Sequence, residues 1–360
     1  MGTLKHKIQI AVEKLCYSLP ERPTRQVSIA FTKIKKRLAT NFHGQSLKTK
    51  FIRSCDFIIV RTAGNRFIEF ELTNICNARC IFCPYPDMLK SGKKFMNMDT
   101  QILSASIDKL KLFPNTLISF TPTTGDTLLH PEWDSYIQQT MAPENVKQAT
   151  FYTNAIVLDH DNCDKLIALI KNDTKGKLSQ LFFSVGGLDR NTYKTLYQVD
   201  RFDIVIDNIR HLLSLLKANK LCTGIHVHLK LLKDQSADLE QAYRLLNPDN
   251  YPFLYITHSA HYESNDGYKR NAVINYVGDV HPEKKRACAY LNKTRFAADG
   301  GIWADGCVIS EMPGDKSLQL GTIESSSKEL EAARKALIHQ WEHDGDIPLP
   351  CRGCTIYKSR

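Results

Sequence analysis

The sequence predicts an α/β fold: a partial (β/α)6 TIM-like barrel, with a helical extension before it and a small cysteine-bearing domain after it. From about residue 66, short β-rich runs alternate with amphipathic helical stretches, which is typical of a parallel sheet with helical crossovers. Six such units within roughly 200 residues fit an incomplete barrel better than a complete one of eight units. The alternation stops after residue 280, so we divide the chain into residues 1–60, 61–275 and 276–360.

Residues 1–60 are predicted to form two amphipathic helices, and they carry the excess charge of the protein. The chain has 48 Lys+Arg and 38 Asp+Glu, a formal net charge of +10, but residues 1–55 alone hold twelve basic and two acidic residues, which leaves 36 of each for the remainder. A neutral body argues against nucleic-acid binding by the main fold. The basic helices could pack on the barrel, lie at the periphery of an anionic membrane or contact a partner protein.

The β-rich runs predict the barrel strands in chain order. They cover residues 67–72, 117–121, 149–153, 181–185, 225–231 and 253–257. The clearest amphipathic stretches between them are residues 100–112 and 202–216, and a further helix is predicted at 327–342. No run approaches the ~18–20 apolar residues of a membrane span, and the N-terminus lacks the apolar core of a secretory signal, so we expect a cytoplasmic location.

Three cysteines follow the first predicted strand in the pattern Cys-x3-Cys-x2-Cys: Cys76, Cys80 and Cys83. Three thiolates on one tight loop can hold three irons of a 4Fe-4S cluster and leave the fourth iron open to another ligand. One alternative is a set of buried cysteines without a metal. The other is a zinc site, although zinc requires a fourth Cys or His and none follows in the loop.

A second set of four cysteines lies in the C-terminal region: Cys288, Cys307, Cys351 and Cys354. Four thiolates would fully ligate a further iron–sulfur cluster and would explain how a segment poor in apolar residues folds. Structural zinc is the alternative, since four cysteines that include a Cys-x2-Cys are also a zinc pattern.

The other four of the eleven cysteines are predicted to be buried small hydrophobic residues: Cys16, Cys55, Cys163 and Cys222. Cys222 begins the fifth predicted strand, so its thiol could instead donate a hydrogen atom to a substrate radical. The odd total and the long chain without a secretory signal argue against a disulfide framework.

The fifth predicted strand places His226, His228 and Lys230 on one face and apolar residues on the other. The apolar face should pack on helices, so the polar face should point into the barrel. There we predict that His228 or Lys230 binds substrate hydroxyls or accepts a proton. His226 is predicted to join an interior hydrogen-bonded network, and His258 and His261 are weaker candidates.

The stretch ELTNICNARCIFCPY resembles the signature of the radical S-adenosylmethionine (SAM) superfamily. The resemblance implies that the open iron of the three-cysteine cluster is chelated by SAM. It also implies that SAM is cleaved to a 5′-deoxyadenosyl radical, which abstracts hydrogen from a substrate. Phe82 occupies the position of the hydrophobic residue that approaches the adenine.

Three further segments resemble the SAM contacts of the same family. Thr124-Gly125-Asp126-Thr127 is similar to the Gly-Gly-Glu-Pro segment but departs from it at three of four positions; the resemblance implies that Gly125 and Asp126 meet the SAM amino group. Asn154 lies in a segment similar to a Thr-Asn-Gly turn, and Ser184 lies in one similar to a Ser-x-Asp-Gly stretch. The resemblance implies SAM contacts for both, while turn chemistry is the simpler alternative.

The C-terminal run RFAADGGIWADGC, followed by LGTI and CRGC, resembles the auxiliary-cluster region of radical SAM enzymes. Four cysteines match the shortened "twitch" form of the SPASM domain, which implies one second 4Fe-4S cluster. The pattern most resembles radical SAM alcohol dehydrogenases that act on an aminocyclitol. It implies oxidation of a small polyol, sugar or aminocyclitol, with a flavodoxin- or ferredoxin-type reductant.

Two other functions remain open on the sequence. One is modification of a ribosomal peptide by thioether formation or epimerisation, although the basic N-terminal helices lack the strand pattern of a peptide-binding domain. The other is a non-catalytic iron–sulfur electron carrier. The SAM-contact segments argue against a carrier, because a carrier needs no open iron.

Overall fold

The computed structural model describes residues 66–113, 115–121, 124–221, 223–233, 235, 239–259, 261–262, 273–276, 283–304, 307, 314–355 and 357. The predicted N-terminal helices lie outside the described residues, as do Cys16, Cys55 and Cys222.

The six predicted barrel strands are all present, and each pairs in parallel with the next in chain order. They are β1 Arg66–Phe70, β2 Thr116–Phe120, β3 Val146–Thr153, β4 Leu178–Gly186, β5 Gly224–Lys230 and β6 Leu254–Ser259. This arrangement confirms the predicted α/β partial barrel.

Helices connect the strands and continue into the C-terminal region. They are α1 Tyr85–Met88, α2 Thr100–Leu110, α3 Trp133–Met141, α4 His160–Asn172, α5 Arg190–Tyr197, α6 Phe202–Ala218, α7 Leu239–Leu246, α8 Ser327–His339 and α9 Leu349–Arg352. Asp99, Asp159, Asp189 and Ser326 begin α2, α4, α5 and α8 by accepting a hydrogen bond from a backbone N–H of the first turn. In the described part of the chain, no helix is both long enough and apolar enough to cross a membrane.

The strands divide the barrel into an apolar outer layer and a polar lumen. Phe183 and Val227 are fully buried partners on neighbouring strands, and they belong to the same core as Ile209 and Leu212 of α6. Because side chains alternate along a strand, Ser184 and His228 point to the opposite face. The buried apolar face of β5 is as predicted, and its polar face lines the lumen.

The C-terminal region continues the barrel sheet beyond β1. The strands are β9 Thr294–Phe296, parallel to β1, and the antiparallel β10 Gly301–Trp303 and β11 Gln319–Thr322; β7 His261–Tyr262 and β8 Asn275–Tyr276 pair separately. Phe70 of β1 stacks on Phe296 of β9 with ring centroids 5.0 Å apart. A small second core surrounds Trp341, which lies in a π-helical turn, Gln340–Asp344, at the end of α8. The domain boundary after residue 275 stays a prediction, and the sheet runs across it.

Candidate active site

The loop with Cys76, Cys80 and Cys83 follows the carboxyl end of β1, the edge where α/β barrels place their active sites. Helix α5 supports it. The backbone N–H groups of Arg79 and Ile81 donate to the carbonyls of Tyr197 and Leu196 at the end of that helix, both at 3.0 Å. The three cysteines are thereby carried on a loop with a fixed backbone.

Burial and mutual proximity favour the neutral form of two thiols in the loop. Burial raises the pKa of Cys80 well above its ordinary value, and the neighbouring Cys83 and Cys76 raise it further; burial raises the pKa of Cys76 to about 11. Such thiols ionise when a metal takes up their charge. Within the described residues, no three or more His, Cys, Asp or Glu converge to hold a single ion. Three thiols on one loop could each ligate one iron of a 4Fe-4S cluster.

Asn154, a predicted SAM contact, lies beside the first cysteine. Its Nδ2 donates to Asn77 Oδ1 at 2.7 Å and lies 4.0 Å from Cys76 Sγ, while its Oδ1 accepts from the backbone N–H of Ile156 at 2.9 Å. A donor at a ligating sulfur is a means of tuning a cluster. Asn77 was not predicted from the sequence, although its place directly after Cys76 was a usable signal. The contact of Asn154 with SAM stays a prediction.

Gly125 and Asp126 hold the base of the cysteine loop. Gly125 has φ +143°, and a Cβ there would lie 2.6 Å from the carbonyl oxygen of Thr73. Asp126 is buried; its backbone N–H donates to the carbonyl of Ile75 at 2.9 Å, and its carboxylate accepts from Thr153 Oγ1 and the Asn154 N–H. Burial raises the pKa of Asp126 to about 6. Both residues position the loop, and their direct contact with SAM stays a prediction.

Phe82 contacts two tyrosines that the sequence did not single out, and one of them, Tyr197, also reaches Ser184. Phe82 stacks on Tyr262 with centroids 4.8 Å apart and meets the edge of Tyr197 at 5.8 Å. The hydroxyl of Tyr197 donates to Ser184 Oγ at 2.8 Å. Burial raises the pKa of Tyr197 well above its ordinary value, so the phenol keeps its proton for this bond.

Lys230 and His228 lie on the luminal face of β5. The Lys230 Nζ is 5.8 Å from the ring centroid of Phe82 and 5.6 Å from that of Tyr262, a cation–π arrangement next to the cysteine loop. His228 Nδ1 lies 2.9 Å from Thr257 Oγ1. Burial lowers the pKa of His228 to about 4, with Lys230 and His258 adding to the shift, so the ring is neutral at physiological pH.

His226 belongs to a stack of four aromatic rings, one from each of β3 to β6. Successive centroids of Tyr152, Phe182, His226 and Tyr255 are 4.4, 4.5 and 4.8 Å apart. Among the described residues the Nε2 of His226 has no hydrogen-bond partner, so the structure shows ring stacking there and not the predicted hydrogen-bonded network. His258 is exposed, and the side chain of His261 lies outside the described residues.

The structure brings the four C-terminal cysteines to one cavity. Cys288, Cys307, Cys351 and Cys354 all line it, together with Trp341 and other apolar residues, and its empty space is about 410 Å³, part of it open to solvent. None of the eight cysteines that the structure describes forms a disulfide. Four thiols at one cavity could ligate either an iron–sulfur cluster or a zinc ion. Cys163 is buried in the barrel core, as predicted.

The parallel barrel and its three-cysteine loop define a class of enzymes that use SAM for radical chemistry. Residues 70–246 match the family model described as Radical SAM superfamily, so the chain contains a radical SAM superfamily domain. The family implies a 4Fe-4S cluster, SAM, a reductant and, typically, a small-molecule substrate.

The structure of native anSMEcpe has a similar fold, and a second solved structure also matches the chain. Native anSMEcpe with bound AdoMet is 14% identical, with 80% of this chain and 88% of that chain covered and a TM-score of 0.51. BtrN in complex with AdoMet and 2-DOIA is 14% identical, with 82% and 97% covered and a TM-score of 0.45. No curated protein matches the sequence.

Proposed function

We propose that the protein is a radical SAM dehydrogenase that oxidises a secondary alcohol of a polyol, sugar or aminocyclitol to a ketone. The observation that carries this proposal is the cavity lined by Cys288, Cys307, Cys351 and Cys354, in a region that continues the barrel sheet. A cluster with four protein thiolates has no open iron for a substrate, so its expected work is electron transfer. An electron acceptor is what the oxidation of an alcohol radical requires.

The chain offers ligands for each cofactor of this reaction. When bound, the first cluster and SAM supply the radical that takes a hydrogen atom from the substrate, and the second cluster supplies the acceptor for the electron left behind. Cys76, Cys80 and Cys83 would hold the first cluster, and the four C-terminal cysteines the second. The residues proposed to bind SAM are Phe82, Gly125, Asp126, Asn154 and Ser184.

His228 is the proposed base. The ring is neutral, and when its Nδ1–H donates to Thr257, the lone pair on Nε2 is left to accept the hydroxyl proton of the substrate. The hydrogen atom, the proton and the electron then have separate destinations, which balances the two-electron oxidation. Lys230 lies two residues after His228, at the end of β5 and next to the cysteine loop, and is proposed to bind a neighbouring substrate oxygen.

The test uses anaerobically reconstituted protein with SAM, dithionite and deuterium-labelled polyols, sugars and aminocyclitols. We expect deuterium in 5′-deoxyadenosine together with a ketone product. The variant His228→Gln should keep SAM cleavage but lose ketone formation by about 10²-fold or more. The control His339→Gln changes an exposed histidine of α8 and should leave the ketone yield unchanged.

Two results would contradict the proposal. SAM cleavage without transfer of label from any compound tried would remove the substrate class. Absence of 5′-deoxyadenosine and methionine would instead favour an iron–sulfur electron carrier.

A further inference from the structure

A buried lysine lies against the C-terminal cysteine cavity. Lys284 is 6% exposed, and its Nζ donates to the carbonyl oxygens of Cys351 at 2.6 Å, Arg352 at 2.8 Å and Cys354 at 3.0 Å. The Tyr357 ring centroid lies 5.8 Å from the same nitrogen. Three carbonyls use all three hydrogens of the ammonium group, so its hydrogen bonding is complete.

Within the part of the chain that the structure describes, no acidic side chain neutralises the charge of Lys284, since none forms an ion pair with it. Glu342, which reaches this segment, accepts a hydrogen bond from the backbone N–H of Ala287 at 3.0 Å. Carbonyl dipoles and an aromatic face bring no net negative charge, and a buried unpaired charge is costly. The group that the cavity thiolates bind is therefore the natural counter-charge.

The surrounding contacts hold the lysine in place. Trp341, which lines the cavity, donates from Nε1 to the Lys284 carbonyl at 2.6 Å. Tyr357 donates from its hydroxyl to the Arg286 carbonyl at 2.8 Å, which ties the same segment to the chain after Cys354. The ammonium group is thus fixed against the short segment that carries Cys351 and Cys354.

We propose that Lys284 supplies the counter-charge for an anionic metal–thiolate centre on Cys288, Cys307, Cys351 and Cys354, and that it favours reduction of that centre. This inference rests on the proposed function, in which the centre accepts an electron. The negative charge of a four-thiolate iron–sulfur cluster increases by one on reduction, so a fixed positive charge beside it stabilises the reduced form more than the oxidised form. Net charge and hydrogen bonding are the properties that set such potentials.

The experiment isolates the C-terminal centre by using the Cys76→Ala/Cys80→Ala/Cys83→Ala protein as the parent. In this parent, Lys284→Met removes the charge and Lys284→Arg keeps it. The matched control is Lys177→Met. Lys177 is also buried, at 7% exposed, and donates to the carbonyls of Met141 and Pro143 at 2.6 and 2.9 Å, but it directly precedes β4 and hydrogen-bonds no cysteine segment.

Iron content and an anaerobic redox titration followed by EPR give the readouts. At a fixed potential we expect Lys284→Met to lower the ratio of reduced to oxidised cluster about tenfold, equal to 59 mV for one electron, or to lose its iron. Lys284→Arg should keep the iron and stay within about threefold of the parent, and Lys177→Met should match the parent. Equal behaviour of Lys284→Met and the parent would overturn the proposal, and so would equal loss of iron from Lys284→Met and Lys284→Arg.

The parent separates this proposal from the proposed function. If the parent holds zinc at this centre, the proposed electron acceptor is absent and the proposed function fails. The counter-charge role of Lys284 is then tested by zinc retention, which Lys284→Met should weaken more than Lys284→Arg. A parent that holds neither metal overturns both proposals.

Discussion

At the scale of single residues, the carboxylate of Asp126 joins its own loop to the segment at the end of β3. The carboxylate accepts hydrogen bonds from the backbone N–H of Leu128 at 3.1 Å, the hydroxyl of Thr153 at 2.9 Å and the backbone N–H of Asn154 at 2.7 Å. Through Asn154 this network continues to the sulfur of Cys76. The acidic residue that the resemblance assigns to SAM therefore also fixes the geometry of the cysteine loop.

Gly125→Ala should destabilise the protein and weaken iron binding at the first cluster. Its φ of +143° disfavours a side chain, and the new Cβ would meet a backbone oxygen 2.6 Å away, so we expect a loss of about 2–4 kcal/mol in the free energy of unfolding. Urea denaturation and iron analysis of anaerobic protein measure both effects.

The matched control for that change is Gly176→Ala. Gly176 also has a positive φ, +62°, but nothing lies within 4 Å of the added Cβ, so only the backbone term of about 1–2 kcal/mol should appear, with no loss of iron. Equal effects of the two substitutions would show that the close approach at Gly125 is unimportant.

The lowered pKa of His226 predicts how the free energy of unfolding depends on pH. Burial lowers its pKa from 6.5 to about 4, so the unfolded chain takes up the proton first as the pH falls. The stabilisation is complete above pH 6.5 and is lost progressively towards pH 4; between pH 7.5 and 5.5 the expected loss is about 1 kcal/mol. His228 has the same shift, so His226→Phe should remove about half of the combined loss in urea denaturation. An unchanged pH dependence in His226→Phe would contradict the assignment.

At the scale of elements, the barrel strands could be predicted because short β-rich runs alternate with amphipathic helical stretches along the sequence. All six predicted runs overlap observed strands, and α6 begins at Phe202 as predicted. Lys284, Trp341 and Tyr262 could not be predicted as site residues. Their roles come from contacts between segments far apart in the chain, such as Lys284 with Cys351, which periodicity does not report. For the same reason the sequence predicted Asn154 as a site residue but did not predict that it lies beside Cys76.

A buried ion pair connects β1 to the C-terminal strands. Arg295 of β9 donates to Glu71, directly after β1, at 2.9 Å, and both side chains are 2% exposed. Arg295→Met leaves the Glu71 carboxylate buried without this partner and should cost about 3–5 kcal/mol. The double variant Glu71→Met/Arg295→Met should cost less than Arg295→Met alone, because no unpaired charge remains. A double-mutant cycle by urea denaturation measures the coupling.

The control pair for that cycle lies on the surface. Arg190 donates to Asp200 from two nitrogens, at 2.7 and 2.9 Å, but the two side chains are 62% and 37% exposed. Arg190→Met should therefore lower stability far less than Arg295→Met. Additive costs at Glu71 and Arg295 would mean that the buried pair does not hold the two parts of the sheet together.

At the scale of the whole molecule, the two cysteine sets lie at opposite ends of the strands of one sheet. The first loop follows the carboxyl end of β1, whereas Cys288 precedes β9 and Cys307 follows the antiparallel β10. The β9–β10 pair therefore brings Cys288 and Cys307 to the edge opposite the first loop. The proposed electron transfer would run along β1 and β9, whose pairing the Glu71–Arg295 contact stabilises.

The metal content of the intact chain tests this arrangement. Two four-iron clusters predict about eight irons per chain in anaerobic protein. Replacing Cys76, Cys80 and Cys83 by alanine should leave about four irons and abolish SAM cleavage, and replacing the four C-terminal cysteines should also leave about four. Cys163→Ala, which changes a buried cysteine of the barrel core, should keep all the iron. About four irons with one zinc would instead identify the C-terminal centre as structural, because zinc has no redox chemistry with which to accept the electron.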